Sequence, residues 1–168
     1  MADNRRSTFL GIRPAGVIAV SLAGCGTKPP AEPLANDPAT KQQVETSLKR
    51  LNQLLSARDM KIVDEFAADP DVLFLGSDAT EFAVGREQLT RHFESILKQP
   101  FTISFDWKDT RSSSRGDVAW IYASGDAVLK GADGEMRSPY RMTGVLERRD
   151  GQWKWRQVHG SQPAANPQ

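Results

Sequence analysis

The sequence predicts an α+β domain in which three N-terminal helices pack on a curved antiparallel β-sheet. Before Pro100, apolar residues recur every three or four positions, which is typical of helices with one buried face. After Pro100 they alternate with polar residues, which is typical of strands with one buried face. Two Asp-Gly pairs interrupt the alternating part, and such pairs favour tight hairpins. With 168 residues, the chain has the length of about one domain.

Three apolar stripes predict the helices. The first helix covers residues 40–57 and buries Val44, Leu48, Leu51, Leu54 and Leu55. A second helix would begin after Asp59, whose carboxylate suits an N-cap, and would bury Ile62, Val63 and Phe66. The third ends before Pro100 and buries Leu89, Phe93, Ile96 and Leu97.

The strands follow from shorter patterns. VLFLG (72–76) is a β-prone run between the second and third helices, and FTISFDWKD (101–109) alternates from its first residue. DVAWIYASGDAVL (117–129) is apolar on both faces, as in a central strand, and Gly125 is expected to bulge or bend it. RSPYRMTGVLER (137–148) and WKWRQVHGS (153–161) follow the Asp-Gly turns and complete a meander.

Residues 1–24 have the pattern of an export signal. Three arginines give a basic start, and GVIAVSLA (16–23) is apolar but far shorter than the ~20 residues that a membrane-spanning helix needs. The run ends in LAGC (22–25), which resembles the lipobox of bacterial lipoproteins. That resemblance implies cleavage before Cys25, the only cysteine, and a lipid on its sulfur. An ordinary small-residue cleavage site is the alternative.

The route and the destination follow from the flanking residues. NRRSTFL (4–10) is similar to a twin-arginine signal with its phenylalanine one residue late, and general secretion is the alternative. Gly26 stands where aspartate would favour the inner membrane of enteric bacteria. We therefore expect a lipid anchor in the cell envelope, on the periplasmic side of an outer membrane where the organism has one. Residues 25–39, rich in proline and alanine, predict a flexible tether, and residues 164–168 a C-terminal tail.

The charge balance excludes a nucleic-acid partner. The whole chain has 22 basic and 21 acidic residues. Residues 1–24 hold three of the basic and one of the acidic residues, so the remainder has 19 and 20, or a net charge near −1. Such a domain lacks the basic surface that nucleic acid requires.

Four segments, in order, carry a family resemblance: GSDATEFAVGREQL (76–89), GDVAWIYAS (116–124), YRMTGVLERRDGQWKW (140–155) and HGSQP (159–163). Together they resemble the SnoaL-like branch of the nuclear transport factor 2 superfamily, and the domain is assigned to residues 40–163. The resemblance implies a cone-shaped fold whose sheet wraps around a long helix and encloses an apolar cavity. It also implies a homodimer. It leaves the function open, because this fold hosts isomerases, cyclases, dehydratases and pure binding domains.

Strand parity groups the candidate cavity residues. Along the last strand, one face would carry Trp153, Trp155, Gln157, His159 and Ser161. Neighbouring strands would contribute sets that include Arg141 with Thr143 and Trp120 with Tyr122. The predicted ligand-binding residues are Arg141, Thr143, His159, Ser161, Trp120 and Tyr122. For the four tryptophans, a place in the core or in a dimer interface is the alternative.

His159 and Asp126 are the candidate catalytic groups. An imidazole changes charge near neutral pH, although His159 could equally form a structural hydrogen bond at the end of its strand. Asp126 could act as a base beside a buried tyrosine, Tyr122 or Tyr140, in a site of the ketosteroid isomerase type.

Two other charged positions have competing interpretations. Arg141 either holds an anionic ligand or pairs with Glu81 or Asp78. His92, between charged neighbours, is expected on the solvated side of the third helix.

No metal and no cofactor are expected, because two separated histidines and one cysteine provide no transition-metal ligand set and no nucleotide loop is visible. Three functions remain open. The first is a lipid-tethered domain that binds a small apolar or mildly anionic molecule, or a partner protein. The second is a cofactor-free acid/base enzyme of the isomerase, dehydratase or cyclase type. The third is a dimerising domain whose own side chains fill its cavity. The lack of a recognisable catalytic set favours the first.

Overall fold

The computed structural model describes residues 37–164 and has the predicted α+β architecture. Within that range the helical elements are α1 (Pro38–Ser56), a 3-10 helix (Met60–Glu65) and α2 (Gly85–Leu97). The strands are β1 (Leu73–Leu75), β2 (Phe82–Val84), β3 (Thr102–Arg115), β4 (Val118–Gly131), β5 (Gly134–Arg149) and β6 (Gln152–Ser161). The predicted export signal, lipidation site and most of the tether lie outside the described residues, as does nearly all of the predicted tail.

The first and third predicted helices are confirmed. The Asp37 carboxylate caps α1 by accepting hydrogen bonds from the backbone N–H groups of Ala39 and Thr40 at 3.3 and 3.0 Å, and Pro38 occupies the first helical position. The apolar stripe of α1 is buried as expected.

The second predicted helix is wrong in type and length. Asp59 does act as its cap, since its side chain accepts from the Lys61 N–H at 2.9 Å. Only six residues of 3-10 helix follow, because Phe66 takes an extended conformation and forms a parallel bridge with Trp155. The Ala67 N–H then donates to the Trp155 carbonyl at 2.9 Å, so pairing with the sheet ends the helix.

The sheet of the described domain has the strand order β2-β1-β6-β5-β4-β3. Strands β3 to β6 form the predicted antiparallel meander, but β1 runs parallel to β6, so the sheet is mixed. Strand β2 was not predicted, because three residues are too few for an alternating pattern to stand out. The Asp150–Gly151 turn has φ values of 51° and 77°, as its Asp-Gly sequence predicts for a tight hairpin.

A β-bulge lies beside Gly125, as expected, but its extra residue belongs to the neighbouring strand. Trp107 pairs with Gly125 and Asp109 with Ser124, which leaves Lys108 of β3 unpaired in the ladder. Strands β3 and β4 approach each other closely at this point: a Cβ on Gly125 would lie only 2.0 Å from the Asp106 carbonyl oxygen.

The two faces of the sheet differ sharply. The inner face packs on α1 and carries small or fully buried residues such as Ala119, Ala123, Leu146 and Trp155. Trp107 and Trp153 also belong to this core or pack against it, whereas Trp120 is 40% exposed on the opposite, outer face. No helix within residues 37–164 is long and apolar enough to span a bilayer.

Candidate functional site

A cavity of about 220 Å³ lies between the inner face of the sheet and the helices, as the family resemblance implies. Its walls are mostly apolar side chains from α1, α2 and five of the strands, among them Leu51, Leu55, Phe74, Phe93, Ile103 and Met142. An apolar cavity of this size is not filled by the protein's own side chains, which argues against the third functional alternative.

The polar lining residues are Ser77, Glu81, Tyr140 and Gln162. Two of them come from the β1–β2 loop, which is closed by a hydrogen bond from the Gly76 N–H to the Glu81 carbonyl at 2.7 Å. The Glu81 side chain folds back over this loop, where its Oε2 accepts the Asp78 N–H at 3.1 Å. Tyr140 reaches the same region from β5, since it interacts with both Ser77 and Glu81. These groups form one polar end, and we call Ser77, Glu81 and Tyr140 the polar cluster.

Two glycines make room for this cluster. A Cβ on Gly160 would lie 1.8 Å from the Tyr140 hydroxyl oxygen, so the phenol sits directly against the backbone of β6. A Cβ on Gly76 would lie 2.1 Å from Glu81 Oε2. Any side chain at either position would displace one member of the polar cluster.

Tyr140 is held as a neutral hydrogen-bonding group. Its pKa is raised to about 12, first by burial and then by the negative charge of Glu81, while a hydrogen bond with Ser77 acts in the opposite direction. A neutral phenol keeps its O–H, so it can donate one hydrogen bond as well as accept. At neutral pH the residue therefore offers a donor at the polar end of the cavity.

His92 lies next to this region and not on the solvated side of α2, so that expectation is wrong. Its ring packs on Phe74 with a centroid separation of 4.5 Å, and its Nε2 is buried with no hydrogen-bond partner in the described part of the chain. Burial lowers the pKa of His92, and the charge of Glu81 opposes this only in part. The imidazole is therefore neutral at neutral pH.

The six predicted ligand-binding residues do come together, but on the outer face of the sheet. Register places Tyr122, Thr143 and His159 in one row across β4, β5 and β6. Arg141 pairs with Ser161 in the next row, and Trp120 lies on the same face. None of the six lines the cavity, so their predicted placement there is wrong.

A second β-bulge explains the error on the last strand. Val145 pairs with Gln157 but Leu146 pairs with Trp155, so Arg156 is an extra residue. Parity reverses at that point: Trp153 and Trp155 face inward, whereas Gln157, His159 and Ser161 face outward. A one-residue shift moves every later side chain to the other face.

On β4 the inward positions hold residues smaller than the expected Trp120 and Tyr122, and on β5 one inward position is a glycine. Gly144 faces the core, where a Cβ would lie 2.4 Å from Cζ3 of Trp155. The Trp155 indole therefore occupies the space that a side chain at position 144 would need, and the aromatic residues Trp120 and Tyr122 lie on the outer face.

Asp126 and Arg141 do not take the predicted roles at the cavity. Asp126 lies on the outer face and accepts a hydrogen bond from Lys108 Nζ at 2.7 Å, with Arg137 at 3.6 Å. The bond from Lys108 holds the pKa of Asp126 below its ordinary value, so the carboxylate is engaged as an ion-pair partner. Arg141 is exposed and forms no ion pair with Glu81 or Asp78, the partners weighed for it in the sequence.

Sequence reasoning considered Tyr140 and Glu81 but joined each to the wrong partner, Asp126 and Arg141 respectively. The sequence carries one signal for their placement, the two glycines that make room for them. Gly76 lies against Glu81, and Gly160 lies against Tyr140. Within residues 37–164, no group of three or more His, Cys, Asp or Glu residues is arranged to hold a metal ion.

Solved structures share this fold at low sequence identity. A nuclear transport factor 2-like protein of unknown function from Pseudomonas putida is 20% identical, over 80% of this chain and 92% of its own, with a TM-score of 0.67. A candidate dehydratase from Streptomyces avermitilis is 18% identical, over 76% and 99%, with a TM-score of 0.69. A candidate scytalone dehydratase from Novosphingobium aromaticivorans is 13% identical, over 73% and 83%, with a TM-score of 0.64.

These likenesses establish the fold alone. Among curated proteins, none matches the sequence significantly. The model of the SnoaL-like domain matches residues 44–165, which is most of the chain and includes every strand and the cavity. The chain therefore belongs to the SnoaL-like domain family, and it has the fold of nuclear transport factor 2-like proteins.

Proposed function

We propose that this domain binds a small, mostly apolar molecule in its interior cavity and is held in the cell envelope by a lipid on Cys25. The observation that carries the binding proposal is the cavity of about 220 Å³, with apolar walls and one polar end. Concave apolar sites with a few convergent polar groups are the usual form of small-molecule sites.

The volume limits the size of the ligand. A dry apolar cavity of about 150 Å³ is enough to take up benzene. The present cavity is larger, so it would accept a substituted ring or a small bicyclic molecule and would exclude a long acyl chain. Tyr140 would donate to the polar end of such a ligand.

A second candidate is a cofactor-free acid/base enzyme, and the polar cluster favours it. Glu81 provides a carboxylate that could take a proton, and Tyr140 a neutral phenol that could stabilise or protonate a developing oxyanion. Two of the structurally similar proteins bear the names of candidate dehydratases, which is the kind of reaction such a pair could serve.

The binding proposal predicts that Tyr140→Phe weakens the binding of acetophenone, a neutral ring with one carbonyl acceptor. One hydrogen bond contributes roughly 0.5–1.5 kcal/mol, so the dissociation constant should rise by about two- to tenfold. The measurement is an amide chemical-shift titration of the purified protein by NMR. The same titration in D₂O separates simple binding from the acid/base enzyme. A base at Glu81 would speed the uptake of deuterium at the methyl group of acetophenone, whereas a binding domain would not.

Tyr122→Phe is the matched control, because the chain has only two tyrosines and Tyr122 lies on the outer face. Neither this variant nor His159→Ala should change the affinity. Weaker binding in His159→Ala with no change in Tyr140→Phe would move the site to the outer face and contradict the proposal.

The tether predicts that Cys25→Ser abolishes membrane association. The wild-type chain should sediment with membranes and resist a salt wash, because a covalent lipid binds through buried CH₂ groups and not through charge. Ser21→Ala, which leaves the LAGC motif intact, is the control and should stay with the membranes. A wild-type mature chain that mass spectrometry finds unlipidated, or starting at another residue, would refute the anchor.

A further inference from the structure

The charge of the polar cluster limits the class of ligand, on the premise of the proposed binding function. Among the described residues that line the cavity, Glu81 alone carries a charged side chain. No Lys, Arg or His of residues 37–164 forms an ion pair with it. An anion in the cavity would therefore be desolvated beside a carboxylate, with no cation to compensate either charge.

The carboxylate also has unused hydrogen-bonding capacity. Its Oε2 accepts one bond, from the Asp78 N–H at 3.1 Å, whereas its Oε1 has no donor within residues 37–164. A carboxylate can accept about four hydrogen bonds, so this one keeps acceptor positions free. A ligand that brings a donor to this end of the cavity could use them.

Tyr140 supplies the complementary group. Its hydroxyl lies against Gly160 and interacts with Ser77 and Glu81, so one acceptor and one donor stand side by side at the same end of the cavity. The remaining lining groups near them, Gly76 and Gly160, add no charge.

We infer that the cavity selects an uncharged molecule whose polar end carries both a hydrogen-bond acceptor for Tyr140 and a donor for Glu81, and that it rejects carboxylates and other anions. This narrows the range of ligands expected from the sequence. The anionic class depended on Arg141, which lies on the outer face and does not line the cavity.

Three probes of nearly identical shape test the inference. Benzamide carries an acceptor and a donor, acetophenone an acceptor only, and benzoate acceptors with a negative charge. In the wild-type protein, benzamide should bind tightest and benzoate about tenfold or more weakly than benzamide. Dissociation constants come from NMR titrations of the purified protein at neutral pH.

Glu81→Gln removes the charge and keeps the shape, so the benzamide-to-benzoate ratio should fall to within about threefold. Glu87→Gln is the matched control: Glu87 lies on α2, its side chain is 84% exposed, and its variant should keep the wild-type ratio. The wild-type ratio remains a test even where the Glu81 variant does not fold. Equal binding of benzamide and benzoate to the wild type overturns the selectivity alone, whereas no binding of any of the three probes overturns the cavity function as well.

Discussion

Gly125→Ala should lower the free energy of unfolding by about 1–3 kcal/mol, because an added methyl group overpacks the close approach of β3 and β4 at the bulge. Its Cβ would lie 2.0 Å from the Asp106 carbonyl oxygen and 2.9 Å from the Cα of Trp107. Both neighbours are backbone atoms, so no side-chain rotation can relieve the collision. Strand β3 would have to move at its bulge. Urea denaturation gives the difference in free energy directly.

Gly131→Ala in the same strand is the control. Its Cβ would meet a side-chain carbon of Phe101 at 3.4 Å, which is an ordinary contact, and the expected change is within about 0.5 kcal/mol. Equal stability losses in the two variants would contradict this explanation. They would show that replacing any glycine of β4 destabilises the domain, whether or not the strands are close at that position.

Trp120→Glu should convert a homodimer to a monomer. The family resemblance implies dimers, and the outer face offers an apolar surface for one: Trp120 is 40% exposed, and register places Val145 beside it and Leu73 farther along the same row. The next row ends at Phe82, which is 55% exposed. A second copy of the chain would cover these side chains. A buried tryptophan commonly contributes about 2 kcal/mol or more to an interface, and a glutamate in its place would add a desolvated charge.

Met136→Glu tests whether any loss of exposed apolar surface has the same effect. Met136 is 61% exposed and lies near the β4–β5 hairpin, on the opposite parity of its strand from Val145. This variant should remain a dimer. Light scattering that finds the wild-type protein monomeric across micromolar concentrations would contradict the dimer itself.

Most of the fold could be predicted because periodicity survives in long elements. The stripe of α1, the alternation of β3 and the apolar run of β4 each extend over many residues, so single exceptions do not hide them. Short elements were harder. Strand β2 has only three residues and so shows no measurable period. The residues after Asp59 favour a helix, but the β-bridge of Phe66 with Trp155 overrides that tendency.

The candidate site was harder to predict than the fold, because strand parity is a cumulative property. One extra residue at Arg156 inverted the assignment of His159 and Ser161, and nothing in the local sequence marks that position as a bulge. The cavity residues Glu81 and Tyr140 are 59 positions apart in the sequence, one in a loop and the other in a strand, so only the folded chain brings them together. The residues that sequence reasoning selected do form a cluster, and the error concerned which side of the sheet carries it.

The two glycines beside the polar cluster have a consequence for how this family could diversify. Gly76 and Gly160 leave the space that Glu81 and Tyr140 occupy, without offering a side chain of their own to a ligand. A single methyl group gained at either position would displace Glu81 or Tyr140 and so change the accepted molecule, while every polar residue stayed the same. Relatives with the same acid and phenol can therefore differ in ligand, and those that retain both glycines are the ones to compare when shared specificity is in question.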